Sequence, residues 1–200
     1  MATPPQQARS IATEKKMLDA AEELLMAGDA RQVTVENVVK QSGATVGSFY
    51  ARFGNIEGLF DALHNRYLEA IYESTLLEAL NSAIDQPNLR LALHHAVKTM
   101  LEFGLHRRKV LFYFITHDVS GGLEVRQQAA NIVYQILKSH RSEIVHKDLR
   151  RTSENTARLI YQMFVGVILL EPSEFTGRKT SLSSLIETTS QMAYNYLTYE

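Results

Sequence analysis

The sequence predicts an all-α fold, with a small helical head at the N-terminus and a larger helical body behind it. Three observations carry this. Apolar residues recur at three- and four-residue spacing along nearly the whole chain. No strand or hairpin pattern appears, and no internal repeat. Glycine and proline gather at a few places, cutting the helical pattern into segments of ordinary helix length.

The residues before Arg9 read as a mobile tail (1–9). A first helix follows over Ser10 to Ala27, with Met17, Ala20, Ala21, Leu24 and Leu25 on its apolar face, and Gly28 suits the left-handed turn after it. A short second helix is expected over Val35–Gln41, capped by Thr34, with Glu36 near its positive end and Val35, Val38 and Val39 facing inward. Gly43 breaks it. A third short helix over Thr45–Phe53 would place Val46, Phe49, Tyr50 and Phe53 on one side. Asn55 can cap a fourth, carrying Leu59, Phe60, Leu63, Tyr67 and Ile71 as a connector over 55–80. The turn Asp85-Gln-Pro-Asn88 then opens the body, residues 81–200, with helices at about 88–106, 109–117, 122–147, 153–171 and 181–198. Ser120-Gly-Gly122, Glu171-Pro-Ser173 and Gly177 punctuate them.

Composition narrows the function by exclusion. A chain of 200 residues with 45% hydrophobic side chains builds its own core. The absence of cysteine removes disulfides and thiolate metal sites. The N-terminus lacks a signal-peptide layout, and the densest apolar stretch, Met163–Leu170, is too short to cross a bilayer, so a soluble, cytoplasmic protein is expected. The net charge of −1 announces no nucleic-acid binder, and residues 1–54 hold six basic and six acidic side chains. Any such role must rest on placement.

Placement is informative over residues 33–53. Two short helices joined by a tight turn at Gly43 make a helix-turn-helix over residues 10–54. The second must bring its leading end into a groove, which the small residues Thr45, Gly47 and Ser48 permit. No acidic residue occurs from Asn37 to Ile56, which fits close approach to a polyphosphate, and Lys40, Ser48, Tyr50 and Arg52 are candidate phosphate donors. Residues 17–60, above all VTVENVVKQSGATVGSFYARF with its ordered Thr34, Gly43, Gly47, Tyr50 and Phe53, followed by Glu57 and Leu59, resemble the DNA-binding head of the tetracycline-repressor (TetR) family.

That resemblance implies a helix-turn-helix DNA-binding head on a helical ligand-binding and dimerisation body. It implies Thr45, Val46, Gly47 and Ser48 at the groove-facing start of the recognition helix, Tyr50 on a phosphate, and Thr34 beside the DNA backbone. Ile56 stands where the family commonly has lysine, and Val39 where it favours alanine. The partners implied are double-stranded operator DNA, read by a homodimer at successive major-groove faces about 34–36 Å apart, and a small-molecule effector. Release from the operator by that molecule would make the protein a repressor; activation of transcription, or a ligand-binding body with a degenerate head, are the alternatives.

In the body, LIYQMFVGVILL (159–170) is apolar on nearly every side, so a second chain is a natural way to finish its burial. With the family's terminal-helix dimer as guide, Ile160, Val167, Leu170, Leu185, Ile186, Thr189 and Ala193 are the expected interface, and Gly166 would permit close approach. The aromatic cluster Phe103, Phe112, Tyr113 and Phe114, with Tyr134, Tyr161, Met163 and Phe164, is the expected wall of a cavity for an apolar or aromatic effector with one or two polar groups. The run Arg107, Arg108 and Lys109 reads as the electrostatic complement of the preceding helix end, with an anionic effector as the alternative. Among the histidines, adjacent His94 and His95 point about 100° apart and His106 and His117 lack zinc spacing, so no metal is expected. No nucleophile–base pair or phosphate-cradling glycine loop is evident, so neither catalysis nor a cofactor is expected.

Overall fold

Proline at a helix's first position costs no hydrogen bond, because that N–H has no intrahelical partner. α1 (Pro5–Met26) begins on such a residue, at Pro5 rather than at the expected Ser10. The computed structural model describes residues 5–28, 30–72, 75–116, 122–170 and 177–199. Among these the chain is all-α as expected, with ten α-helices, two short 3-10 turns and no strand. None of the described helices is long and apolar enough to cross a membrane. The chain divides into two compact units: residues 1–69 with 109–119, and residues 70–108 with 120–200.

The first unit holds α1, a 3-10 turn at Ala30–Gln32, α2 (Val35–Ser42), α3 (Val46–Phe53) and α4 (Ile56–Tyr72) as far as residue 69. α1 buries Met17, Ala20, Ala21 and Leu25, while Leu24, expected beside them, is half-buried. α4 buries Leu59, Leu63 and Tyr67. Arg66 ties these two helices: its guanidinium pairs with Asp19 and Glu22, both at 2.5 Å, and donates to the Leu18 carbonyl at 3.2 Å. From Lys109 onward, α7 (Arg108–Thr116) also belongs to this unit. Phe114 packs against His64 and Tyr67 of α4, with ring centroids 4.7 and 5.9 Å apart. The Lys109 ammonium donates to the Met26 carbonyl, at the end of α1, at 2.7 Å.

The second unit is built around α6 (Leu89–His106), which packs on α5 (Thr75–Asn81), α8 (Gly122–Ser139), α9 (Leu149–Leu169) and α10 (Leu182–Thr198). Leu89 and Leu93 of α6 meet Val133 and Leu137 of α8 and Ala193 and Leu197 of α10. A Cβ added at Gly104 would lie 2.3 Å from the Phe164 ring, so α6 and α9 approach as closely as they do because residue 104 has no side chain. The expected helix over 122–147 stops at Ser139. The His140 ring nitrogens instead lie 2.9 Å from the Ile136 carbonyl and 2.8 Å from that of Gln86, and after a 3-10 turn at Arg141–Glu143 the Val145 N–H donates to the Leu197 carbonyl at 3.0 Å. Ile144 is buried at this break, which favours it. Asp148 then caps α9, its carboxylate accepting from the Arg151 N–H at 3.0 Å, so that helix starts earlier than the expected residue 153.

The basic run serves helix ends, though not the one expected. Arg108 Nε donates to the Val167 and Ile168 carbonyls at the end of α9, at 3.2 and 3.0 Å, and Lys109 serves α1. Arg107 lies over the Phe103 ring, 4.8 Å from its centroid. The expected connector is α4 plus α5, with residues 73 and 74 outside the described residues. His117 and the turns at 120–121 and 171–173 also lie outside them.

Candidate functional site

In the head, two threonines set the geometry. Thr34 caps α2 as expected, its Oγ1 accepting from the Asn37 N–H at 3.2 Å. Gly43 ends α2 at φ +67°, ψ +19°, where an L side chain is disfavoured, so the chain can turn sharply into α3. Thr45 is the cap of α3 rather than its first residue: its Oγ1 accepts from the Ser48 N–H at 3.1 Å and lies 2.8 Å from the Ser48 hydroxyl. Val38 is fully buried on α2, with Val35 and Val39 half-buried beside it. Asn55 caps α4, accepting from the Gly58 N–H at 2.8 Å.

The expectation that Val46, Phe49, Tyr50 and Phe53 share one side is corrected. Phe49 and Phe53 point inward with ring centroids 5.2 Å apart, whereas Val46 and Tyr50 are 51% and 52% exposed. At 100° per residue the four fall within one arc of about 100°, and packing divides that arc, burying the edge with Phe49 and Phe53 and leaving the edge with Val46 and Tyr50 in solvent. The outer face of α3 therefore offers Val46, Gly47 and Tyr50 beside the cap Thr45, and Lys40 is exposed on α2. The Tyr50 ring stands edge-on to Phe49 at 5.7 Å, which braces it from behind. Two candidates are already engaged: Ser48 with Thr45, and Arg52 with Glu14 at 2.9 Å and Ser10 Oγ at 3.0 Å. The sequence reading missed that group on α1. Arg9, Ser10 and Thr13 border a polar cleft of about 320 Å³ with Ser48 and Arg52, and only the shared face of α1 could have signalled it.

The second unit contains an apolar cavity of about 350 Å³. Its floor comes from α5, α6, α8 and α9, with Leu80, Met100, Ile136 and Ile160 among small residues such as Ala96, Ala129 and Ala157. Tyr161, Arg126, Arg158 and Glu154 supply its polar groups. Of the aromatic wall expected from sequence, Tyr161 is the one member lining it. Consecutive residues on α7 point 100° apart, so Phe112 is exposed while Tyr113 stacks on Phe60 of α4, ring centroids 4.3 Å apart. Tyr113 keeps its proton more tightly than an ordinary phenol, through burial first and then the nearby Glu57 and Asp61 carboxylates. Phe103 lies under Arg107 and Tyr134 under Arg150. Phe164 fills the space above Gly104, and Met163 is half-buried beside it on α9.

The expected interface residues divide likewise. Ile160, Val167, Ile186, Thr189 and Ala193 are buried within this one chain. Leu170 is exposed and Leu185 half-buried. The outward apolar residues on α10 are Met192 and Tyr196, and Asn155 of α9 donates to the Tyr196 hydroxyl at 3.0 Å. Among the described residues no group of three or more histidines and carboxylates could hold a metal.

Comparison with known proteins agrees with this geometry. The model of the tetR family of bacterial regulatory proteins matches residues 17–63. Among solved structures, a protein from Rhodococcus sp. RHA1 described as of unknown function superposes with a TM-score of 0.69 at 16% identity, covering 94% of this chain and 96% of its own. A TetR family transcription regulator from Marinobacter aquaeolei VT8 gives 0.61 at 17% identity, over 97% and 100% of the two chains. The fatty acid degradation regulator FadR from Bacillus halodurans gives 0.59 at 14% identity, over 90% and 97%. These are likenesses of fold. Among curated proteins no relative matches the chain. Residues 17–63, with the capped two-helix turn they contain, match the model of the tetR family of bacterial regulatory proteins, and the chain as a whole shares its all-α fold with these solved structures.

Proposed function

We propose that the chain is a homodimeric DNA-binding transcriptional repressor, released from its operator by a small molecule held in the body. The observation that carries the DNA-reading role is the outer face of α3. Thr45, Val46, Gly47 and Tyr50 stand in solvent at the leading half of a short helix whose other face is locked by Phe49 and Phe53. Small leading residues admit the backbone to a major groove, and an exposed, braced tyrosine offers a hydroxyl to phosphate. The cavity in the second unit supports ligand responsiveness: it is concave, mostly apolar and carries a few convergent polar groups. A ligand favouring a conformation that reads DNA poorly lowers affinity by typically about 1–3 kcal/mol.

The test is binding of the purified chain to DNA from upstream of its own gene, against unrelated DNA, across a salt series, followed by selection from random sequences. Selective binding is expected, weakening with salt by about 0.9 in log–log slope per neutralised phosphate. Tyr50→Ala and Thr45→Ala should each lose at least about tenfold in selective affinity, about 1.4 kcal/mol, while the oligomeric state persists. A chain that selects no sequence from the random pool, or variants that bind as tightly as the parent, would refute the reading.

A further inference from the structure

The effector cavity proposed above joins an apolar floor to charged groups, and the ligand class it points to rests on that ligand-responsive reading and deepens it. The floor is unusual in what it lacks. Four alanines, Ala96, Ala129, Ala130 and Ala157, line it where larger side chains would close it, and Tyr161 is its one aromatic ring among the described residues. Flat aromatic ligands are ordinarily gripped between rings, and this cavity has no second ring to complete such a grip. A slender, flexible apolar body fits better. At about 30 Å³ per water-sized unit, 350 Å³ takes roughly ten to twelve heavy atoms.

The charges at the cavity select the other end. Arg126 of α8, Arg158 of α9 and Glu154 of α9 are the ionic groups lining it, a net positive set, and all three are exposed. Glu154 and Arg158 stand four residues apart on one helix, a spacing at which opposite charges offset each other. Arg158 also donates to the Asn155 side-chain oxygen at 3.2 Å. Arg126 differs. Its guanidinium lies 5.9 Å from the Tyr161 ring centroid, and it makes no ion pair among the described residues. A cation held by a ring at the edge of an apolar cavity is arranged to receive a carboxylate or similar anion, two parallel N–H donors meeting two oxygens. We infer that the cavity binds a medium-chain aliphatic anion, its tail over the alanines and its head on Arg126.

The experiment measures the thermal shift and affinity of the full chain with octanoate, 1-octanol and octylamine, which share a tail and differ in the head. Octanoate should bind about tenfold more tightly than 1-octanol, and octylamine more weakly than either. Arg126→Gln should bring octanoate down to the level of the alcohol and leave the alcohol unchanged. Ala129→Phe should abolish all three by filling the floor, with far-ultraviolet circular dichroism showing the fold retained. An alcohol or amine bound as tightly as the carboxylate overturns the anionic assignment, as does an Arg126→Gln variant that keeps its octanoate affinity. No binding of any of the three overturns the aliphatic one. DNA affinity without ligand is measured in parallel, so failure of the DNA-reading role is seen separately.

Discussion

At the scale of single residues, the chemistry of a side chain depends on which helix receives it. Tyr113 sits in a sequence of three consecutive aromatics that reads equally well as core or as pocket wall. In the structure it stacks on Phe60, with Glu57 and Asp61 of the same helix close enough to disfavour its ionised form. The consequence runs in one direction. A folded-state pKa above the unfolded value, near 10, leaves its contribution intact below pH 10. That contribution is lost as pH rises from the unfolded value to the folded one, because the unfolded chain releases the proton first. Urea midpoints at pH 8 and pH 10.5 test this: the parent should lose more stability over the interval than Tyr113→Phe, whose ring stacks without ionising. Equal losses would show that the phenol is not held neutral. Nothing in the sequence pairs residue 113 with residue 60, so this contact was not legible. The capping roles of Thr34 and Asn55 were, because a cap acts on an N–H three residues away.

At the scale of elements, legibility follows the reach of the interaction that fixes each boundary. The ends of α2 and α3 depend on Thr34, Gly43 and Thr45, all local, and their extents came close to expectation. The end of α8 depends on His140 meeting Gln86 and on Val145 meeting Leu197, partners more than fifty residues away, and there the expected helix ran on too far. The faces of α3 were blurred for a different reason: a helix of two turns with four large apolar residues has no clear polar side, so only packing reveals that Tyr50 faces out. Gly43 shows how sharply a turn can be specified. Its φ of +67° is left-handed, yet among the described residues nothing beyond its chain neighbours lies within 4 Å of an added Cβ, so the penalty for a side chain there is one of backbone. Gly43→Ala should therefore cost about 1–2 kcal/mol in urea unfolding, and Gly43→Asn distinctly less, since asparagine tolerates this region. Equal costs for the two would mean that crowding, not conformation, governs the turn.

At the scale of the whole molecule, the chain builds its units discontinuously, leaving the first at residue 69 and returning to it from 109 to 119. A linear reading assigns one stretch to one domain, so it could not foresee that Lys109 would hold the end of α1 while Arg108, its neighbour, holds the end of α9. The same limit applies to the proposed dimer face. Counting apolar residues on the last two helices selected those the chain buries for itself, such as Ile160 and Ala193, because an intrachain core and an interface share a composition. What distinguishes the second is apolar surface left over. Met192 at 47% and Leu170 at 42% remain exposed, and Gly166 stands on α9 with nothing within 4 Å of an added Cβ. An exposed glycine within a helix costs up to about 1 kcal/mol against alanine, and among the described residues no neighbour of Gly166, in the last turn of α9, requires it. In the proposed homodimer, a second chain closing on α9 and α10 would supply that reason. Sedimentation equilibrium should accordingly show Gly166→Ala weakening a homodimer while raising the helicity of the isolated chain, and Met192→Glu weakening it at least about tenfold by placing like charges at the seam. If Gly166→Ala stabilised the protein with its self-association unchanged, the glycine would have no partner backbone to admit, and the dimer would have to form through another face.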